Sequence, residues 1–112
     1  GYDVISFDNY STGFRENQLT DCTYITYDIR EEFDYQSDID VIFHLAALPR
    51  IGPSFANPKE VCDVNVVGTQ NVLEYAKLHN IPVVQVHFGV EYIKIHTHSV
   101  NGKVKNCVKC MR

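Results

Sequence analysis

A chain of 112 residues, 45% hydrophobic and 12% aromatic, can enclose one core and no more. No apolar run approaches the ~20 residues that cross a bilayer, and no secretory signal opens the sequence, so four cysteines fit a reducing cytoplasm better than a disulfide scaffold. The net charge of −4 is uneven: residues 1–80 carry 13 acids against 5 bases, and residues 81–112 carry 1 acid against 5 bases. Those five bases are scattered, without a run or interleaved aromatics, so neither a nucleic-acid nor a membrane partner is expected.

In chain order, Val4-Ile-Ser-Phe7 is a short apolar run that suits a strand buried on both faces. Asn9 to Gly13 has loop chemistry. Thr23-Tyr-Ile-Thr-Tyr27 is β-branched and aromatic, a second strand, and a polar stretch follows from Asp28 to Gln36. Val41-Ile-Phe-His-Leu-Ala46 is a third strand, and Leu48–Ala56, with Pro49, Gly52 and Pro53, reads as a loop.

The spacing then predicts a helix over 57–80. Asn57 can cap it, Pro58 suits its first position, and Glu60 can reach back as in a capping box. Val61, Val64, Gly68, Val72, Tyr75, Ala76 and His79 recur at three- and four-residue steps, which makes one buried face. Asn80 can end the helix and Pro82 prevents its return, before a fourth strand over Pro82-Val-Val-Gln-Val86. Strands joined by a helix of this length indicate parallel βαβ construction, so the fold class is α/β. In the tail, Val90–Ile95 alternates, Asn101-Gly102 is a turn signal and Lys103–Val108 can return, which predicts a hairpin.

Three segments carry a family resemblance: Val4-Ile-Ser-Phe7-Asp8-Asn9-Tyr-Ser11-Thr12-Gly13, then Asp40-Val-Ile-Phe-His44-Leu45-Ala46-Ala47, then Asn65-Val-Val-Gly68-Thr69, which starts 21 residues after His44. In this order and spacing the chain resembles the NAD-dependent epimerase/dehydratase family, the extended short-chain dehydrogenases, and within it the UDP-glucose 4-epimerase group. The motifs span residues 1 to 84. The resemblance implies an incomplete Rossmann-like doubly wound parallel sheet holding strands 2–5 of the nucleotide-binding domain. Residues 1–86 would be a partial NAD-binding domain and 87–112 a divergent tail with the character of a frame-shifted segment. In the family's strand order of 3-2-1-4-5 the missing first strand is central, so the strands near 4–8 and 23–27 would be separated from those near 41–46 and 83–86.

The resemblance also assigns roles. Asp8, at the carboxyl end of a strand, can accept from the adenosine ribose hydroxyls and would repel a 2′-phosphate, which favours NAD; on its own it could equally be an acid in a turn. Asn9, Ser11, Thr12 and Gly13 extend the same loop. Asp28 would accept from the adenine amine while Ile29 packs on the ring, although an aspartate here could also cap a helix. Leu45, Ala46 and Ala47 are small enough to let the backbone pass along the cofactor, or are an ordinary strand exit. Asn65 lies mid-helix where its propensity is poor and its amide needs a partner; the family puts it near the nicotinamide end and the sheet backbone. Gly68 costs about 1 kcal/mol against alanine in a helix, which close helix–sheet approach would explain. Arg50 lies in a loop that approaches substrate in family members, or is an exposed arginine. His44 reads as a satisfied strand histidine.

The family's hydride chemistry depends on a tyrosine followed four residues later by a lysine, and no Tyr-x-x-x-Lys occurs: Tyr75 is followed by His79 and Tyr92 by His96. Nor does the Gly-rich phosphate turn occur. This implies a fragment of a nucleotide-sugar epimerase, itself inactive, whose intact relatives would take NAD and a nucleotide sugar and could form homo-oligomers. The alternatives are a dehydratase or reductase fragment, a noncatalytic nucleotide-binding module, or a small metal-binding protein. The last would draw on Cys107 and Cys110 at zinc-ligand spacing, with His96 and His98.

Overall fold

A computed structural model describes residues 1–36, 38–86, 95–96 and 106–110. Among the described residues six strands form one sheet in the order β2-β1-β6-β3-β4-β5. Strand β1 (Asp3–Asp8) pairs in parallel with β2 (Cys22–Thr26), Val4 opposite Cys22 and Asp8 opposite Thr26. Strand β3 (Val41–His44) pairs in parallel with β4 (Val83–Val86), Ile42 opposite Val83. The parallel pairing and the intervening helix give the mixed α/β architecture expected from the apolar runs and the helix between them.

The predicted hairpin is not what the tail forms. Ile95–His96 (β5) adds antiparallel to β4, and Asn106–Cys110 (β6) lies in the middle of the sheet, parallel to β1 on one side and β3 on the other. Val108 is in register with both Ile5 and Ile42. The proposed turn at Asn101-Gly102 lies outside the described residues. The physical reason is the gap itself: β1 and β3 each offer a row of backbone donors and acceptors, and one extended segment satisfies both. The two half-sheets are thus separated as expected, and bridged by the chain's own C-terminal segment.

The helix over 57–80 is real but composite. It runs as α2 (Pro58–Cys62), a π-helical stretch (Asp63–Gly68) and α3 (Thr69–Leu78), preceded by a short α1 (Ile51–Ala56) where a loop was expected. Pro53 is the third residue of α1, still in the first turn, where a missing N–H costs nothing. The Asn57 side chain accepts from the Glu60 amide, but Glu60 answers the Asn57 side-chain amide rather than its backbone N–H, so the capping box is incomplete. At the other end Asn80 adopts φ 55°, and bonds from Asn80 N to Lys77 O and from Ile81 N to Ala76 O close a Schellman motif.

Val72, Tyr75 and Ala76 are buried and Val64 packs beside them, as the periodicity predicts. His79 is exposed, against expectation, because it belongs to the helix terminus, with its ring 4.4 Å from that of Tyr75. The core joins these helical residues to Phe7 and Ile42 from the sheet and to Ile29 and Phe33. The last two come from the stretch 28–36, which reads as polar. Its sparse apolar residues fold back under α3, held by Asn71 Nδ2 donating to the carbonyls of Ile29 and Glu31. Phe33 then meets Phe7, Tyr27 and Tyr75 edge-on at 4.9, 5.3 and 4.4 Å between centroids.

Candidate functional site

Because β1, β2 and β3 run in parallel, the segments that leave their carboxyl ends gather on one side of the sheet. There they enclose an open cleft of ≈ 250 Å³. Asn9, Ser11 and Thr12 line it from the segment after β1, Tyr27–Arg30 from that after β2, Ala46–Leu48 from that after β3, and Glu60 and Val64 from the helix. Seven of the residues singled out in the sequence therefore share one wall system: Asn9, Ser11, Thr12, Asp28, Ile29, Ala46 and Ala47.

Asp28 is the electrostatic centre of the cleft. Its Oδ1 accepts from the backbone N (3.0 Å) and Nε (2.9 Å) of Arg30; its Oδ2 accepts from Arg30 Nη2 (2.5 Å) and Asn9 Nδ2 (3.0 Å). The Arg30 guanidinium, helped by the Arg30 amide and Asn9, holds the carboxyl well below the usual carboxylate range, against a smaller opposing effect of burial. Asp28 does not cap a helix: residues 29–36 form none.

Asp8 is buried at the end of β1 and shapes its loop. Its Oδ1 accepts from the Tyr10 amide at 2.8 Å, across a left-handed Tyr10 with φ 54°. The next turn repeats the device, Asn9 Oδ1 accepting from the Ser11 amide at 3.0 Å. A Cβ at Gly13 would lie 3.1 Å from Asp8 Oδ2, so glycine lets the returning loop pass close to the carboxylate.

Asn65 spends its amide on the backbone of the strand exit. Leu48 N donates to its Oδ1 at 2.7 Å and its Nδ2 donates to Leu48 O at 3.1 Å. That two-point clasp fixes the chain just after Leu45, Ala46 and Ala47. Gly68 is explained differently from expectation: a Cβ there would meet not the sheet but Ile29, 2.5 Å from Cδ1 and 2.6 Å from Cγ1. Glycine is what allows the cleft residue Ile29 to lie against the helix. His44 is buried, donates or accepts through Nε2 with Thr69 Oγ1 at 2.8 Å, and is pushed towards its neutral form by burial. Its Nδ1 has no partner among the described residues. Arg50 is exposed.

Arg30 and Glu60 are cleft residues that sequence reading missed. The available signal was the Asp-x-Arg spacing, which lets an aspartate take both the amide and the side chain of the residue two positions on. Glu60 was legible only as a cap. In β6 the backbone is extended through Cys107 and Cys110, so their α carbons stand about 10 Å apart. His98 lies outside the described residues, and no group of three or more metal-ligating side chains occurs among those described.

The cleft is small and open on one side. Its volume is below the ~300 Å³ at which pockets for drug-sized ligands begin. Ala46 and Ala47 carry small side chains on one wall, and Asp28 lies on the wall formed after β2. No glycine-rich turn at a helix N-terminus, the usual seat of a pyrophosphate, occurs among the described residues.

Comparison with known proteins identifies the family. The family described as NAD dependent epimerase/dehydratase matches residues 1–107, past the last of the recognised motifs. A putative UDP-glucose 4-epimerase of Methanocaldococcus jannaschii is 35% identical over 85 residues, covering 71% of this chain and 28% of the relative. UDP-glucose 4-epimerases of Streptomyces lividans and Corynebacterium glutamicum are each 32% identical, covering 66% and 72% of this chain and 24% and 26% of theirs. The chain spans about a quarter of the length of these curated relatives.

Proposed function

The chain belongs to the NAD-dependent epimerase/dehydratase family, and from that premise we propose that it is the adenosine-binding portion of a nucleotide-sugar epimerase of the UDP-glucose 4-epimerase type, a partial doubly wound domain without turnover of its own. One observation carries the reading. Three loops distant in sequence, after β1, β2 and β3, converge at the carboxyl ends of parallel strands and bring Asn9, Asp28 and Ala46 to one cleft. Bound NAD would supply a hydride acceptor. This chain's residues would hold its adenosine: Asp28 accepting from the exocyclic amine, Ile29 and Ala46 against the ring faces, and Asp8, with Ser11 and Thr12, at the ribose hydroxyls.

The expected inactivity rests on the missing Tyr-x-x-x-Lys pair, whose loss costs proton transfer about 10²–10⁴-fold. The same absence also supports a second reading, a noncatalytic nucleotide-binding module. Titration calorimetry of the full chain with NAD, AMP and nicotinamide mononucleotide tests the proposal. NAD and AMP should bind alike, and nicotinamide mononucleotide should not bind. Binding of nicotinamide mononucleotide without AMP would overturn the assignment of the adenosine end. Conversion of UDP-glucose to UDP-galactose by the pure chain would overturn the expected inactivity.

A further inference from the structure

The carboxylate of Asp28 is full. A carboxylate has about four acceptor positions, and four donors already occupy them: the Arg30 amide, Arg30 Nε, Arg30 Nη2 and Asn9 Nδ2. Two of the four come from one guanidinium in a fork, and the Arg30 side chain itself lines the cleft. A ligand amine aimed at Asp28 therefore meets no free acceptor. It has to displace a donor.

The donors differ in how readily they leave. The Arg30 amide is fixed by the backbone turn. Asn9 is tied at its other end, because its Oδ1 accepts from the Ser11 amide. The guanidinium is different: the Arg30 side chain is 39% exposed and faces the open cleft. Glu60 lines the same cleft. An arginine leaving Asp28 thus has another acid in the same cleft, Glu60, to which its N–H donors can turn.

We propose that Arg30 is a specificity residue that gates Asp28: a ring bearing an amine enters by displacing the guanidinium from Asp28 towards Glu60, whereas a ring bearing a carbonyl at that position finds Arg30 in place as a donor. The gate narrows the site's preference for adenine over 6-oxopurines, because adenine alone has to break the Arg30–Asp28 pair. The inference rests on the adenosine reading of the cleft, and it adds the group that sets how selective that cleft is.

The test compares NAD with its hypoxanthine analogue, which replaces the amine by a carbonyl and leaves both phosphates unchanged. Affinities of the two dinucleotides are measured by calorimetry on the full chain and on Arg30→Ala, Arg30→Lys and Asp28→Asn, each checked for folding by circular dichroism. The ratio of the two affinities is the readout, so a general loss of attraction for phosphate cancels. For Arg30→Ala the preference for NAD should rise roughly two- to fivefold, the range expected from freeing an exposed ion pair. Arg30→Lys, which keeps the charge and loses the fork, should show part of that rise. Asp28→Asn should abolish the preference. An unchanged or reduced ratio in Arg30→Ala, with the wild type binding NAD, overturns the gate and leaves the adenosine cleft standing. If folded wild type binds neither dinucleotide, the cleft assignment fails and the gate with it.

Discussion

The two halves of the sheet are fastened to the helix by different chemistry. The β1–β2 side is held chiefly by rings, with Asn71 tying down the loop carbonyls: Phe7, Tyr27, Phe33, Tyr35 and Tyr75 form a chain of edge-on contacts between the strand, the returning loop and α3. The β3–β4 side is held by directed polar links, His44 to Thr69 and Asn65 to the backbone of Leu48. Aromatic packing tolerates small shifts and provides area, whereas the polar links fix position along the chain. The cleft sits where the two meet, one wall on each. Rings secure the loop bearing Asp28, and the Asn65 clasp sets the height of Ala46 and Ala47.

If that contrast is right, the aromatic side carries more of the stability. Phe33→Ala should cost about 3–5 kcal/mol in urea unfolding, enough to leave little folded chain. A cost near 1 kcal/mol would mean the stretch 28–36 is not part of the core. Asn65→Ala strands the Leu48 amide and carbonyl and should cost less, about 1–3 kcal/mol. Faster exchange of the Leu48 amide, with the Phe33 region unchanged, would place the damage on the β3 side.

Gly68→Ala probes the junction. Relief of the glycine penalty, about 1 kcal/mol, opposes overpacking of about 1–3 kcal/mol against Ile29. The expected result is net destabilisation, which should vanish when Gly68→Ala is added to an Ile29→Ala background and compared with that single variant. The smallest effect is pH dependence. Burial lowers the His44 pKa from 6.5 in the folded state, so below pH 6.5 the unfolded chain takes up more protons and the fold loses stability as pH falls towards the depressed value. Denaturant midpoints measured across that window should slope for the wild type and flatten in His44→Gln.

The β3 side was largely legible along the chain, because its signals are local. Asn57, Pro58, Asn80 and Pro82 punctuate one helix, and the three- and four-residue spacing marks Val64, Val72 and Tyr75 as its inner face. The β1 side was legible only in its strands. Phe33 and Ile29 sit in a stretch rich in charge, with no period to mark them as core, and only the aromatic cluster beneath α3 brings them inside.

Local chemistry along the chain thus set strands β1–β4, the helix ends and the fold class, and the family resemblance supplied seven of the residues that meet in the cleft. It also set the need for a partner at Asn65, without naming Leu48. The tertiary structure decided what depends on distance in space. It closed the central gap with β6 rather than a hairpin, since two unpaired strand edges outbid a turn signal of two residues. It placed Ile29 where Gly68 has no side chain, and it delivered Arg30 to a carboxylate that the motif had reserved for a ligand. Spacing in sequence fixes which groups can be neighbours within a turn or strand; which acceptors are already filled depends on the folded chain around them.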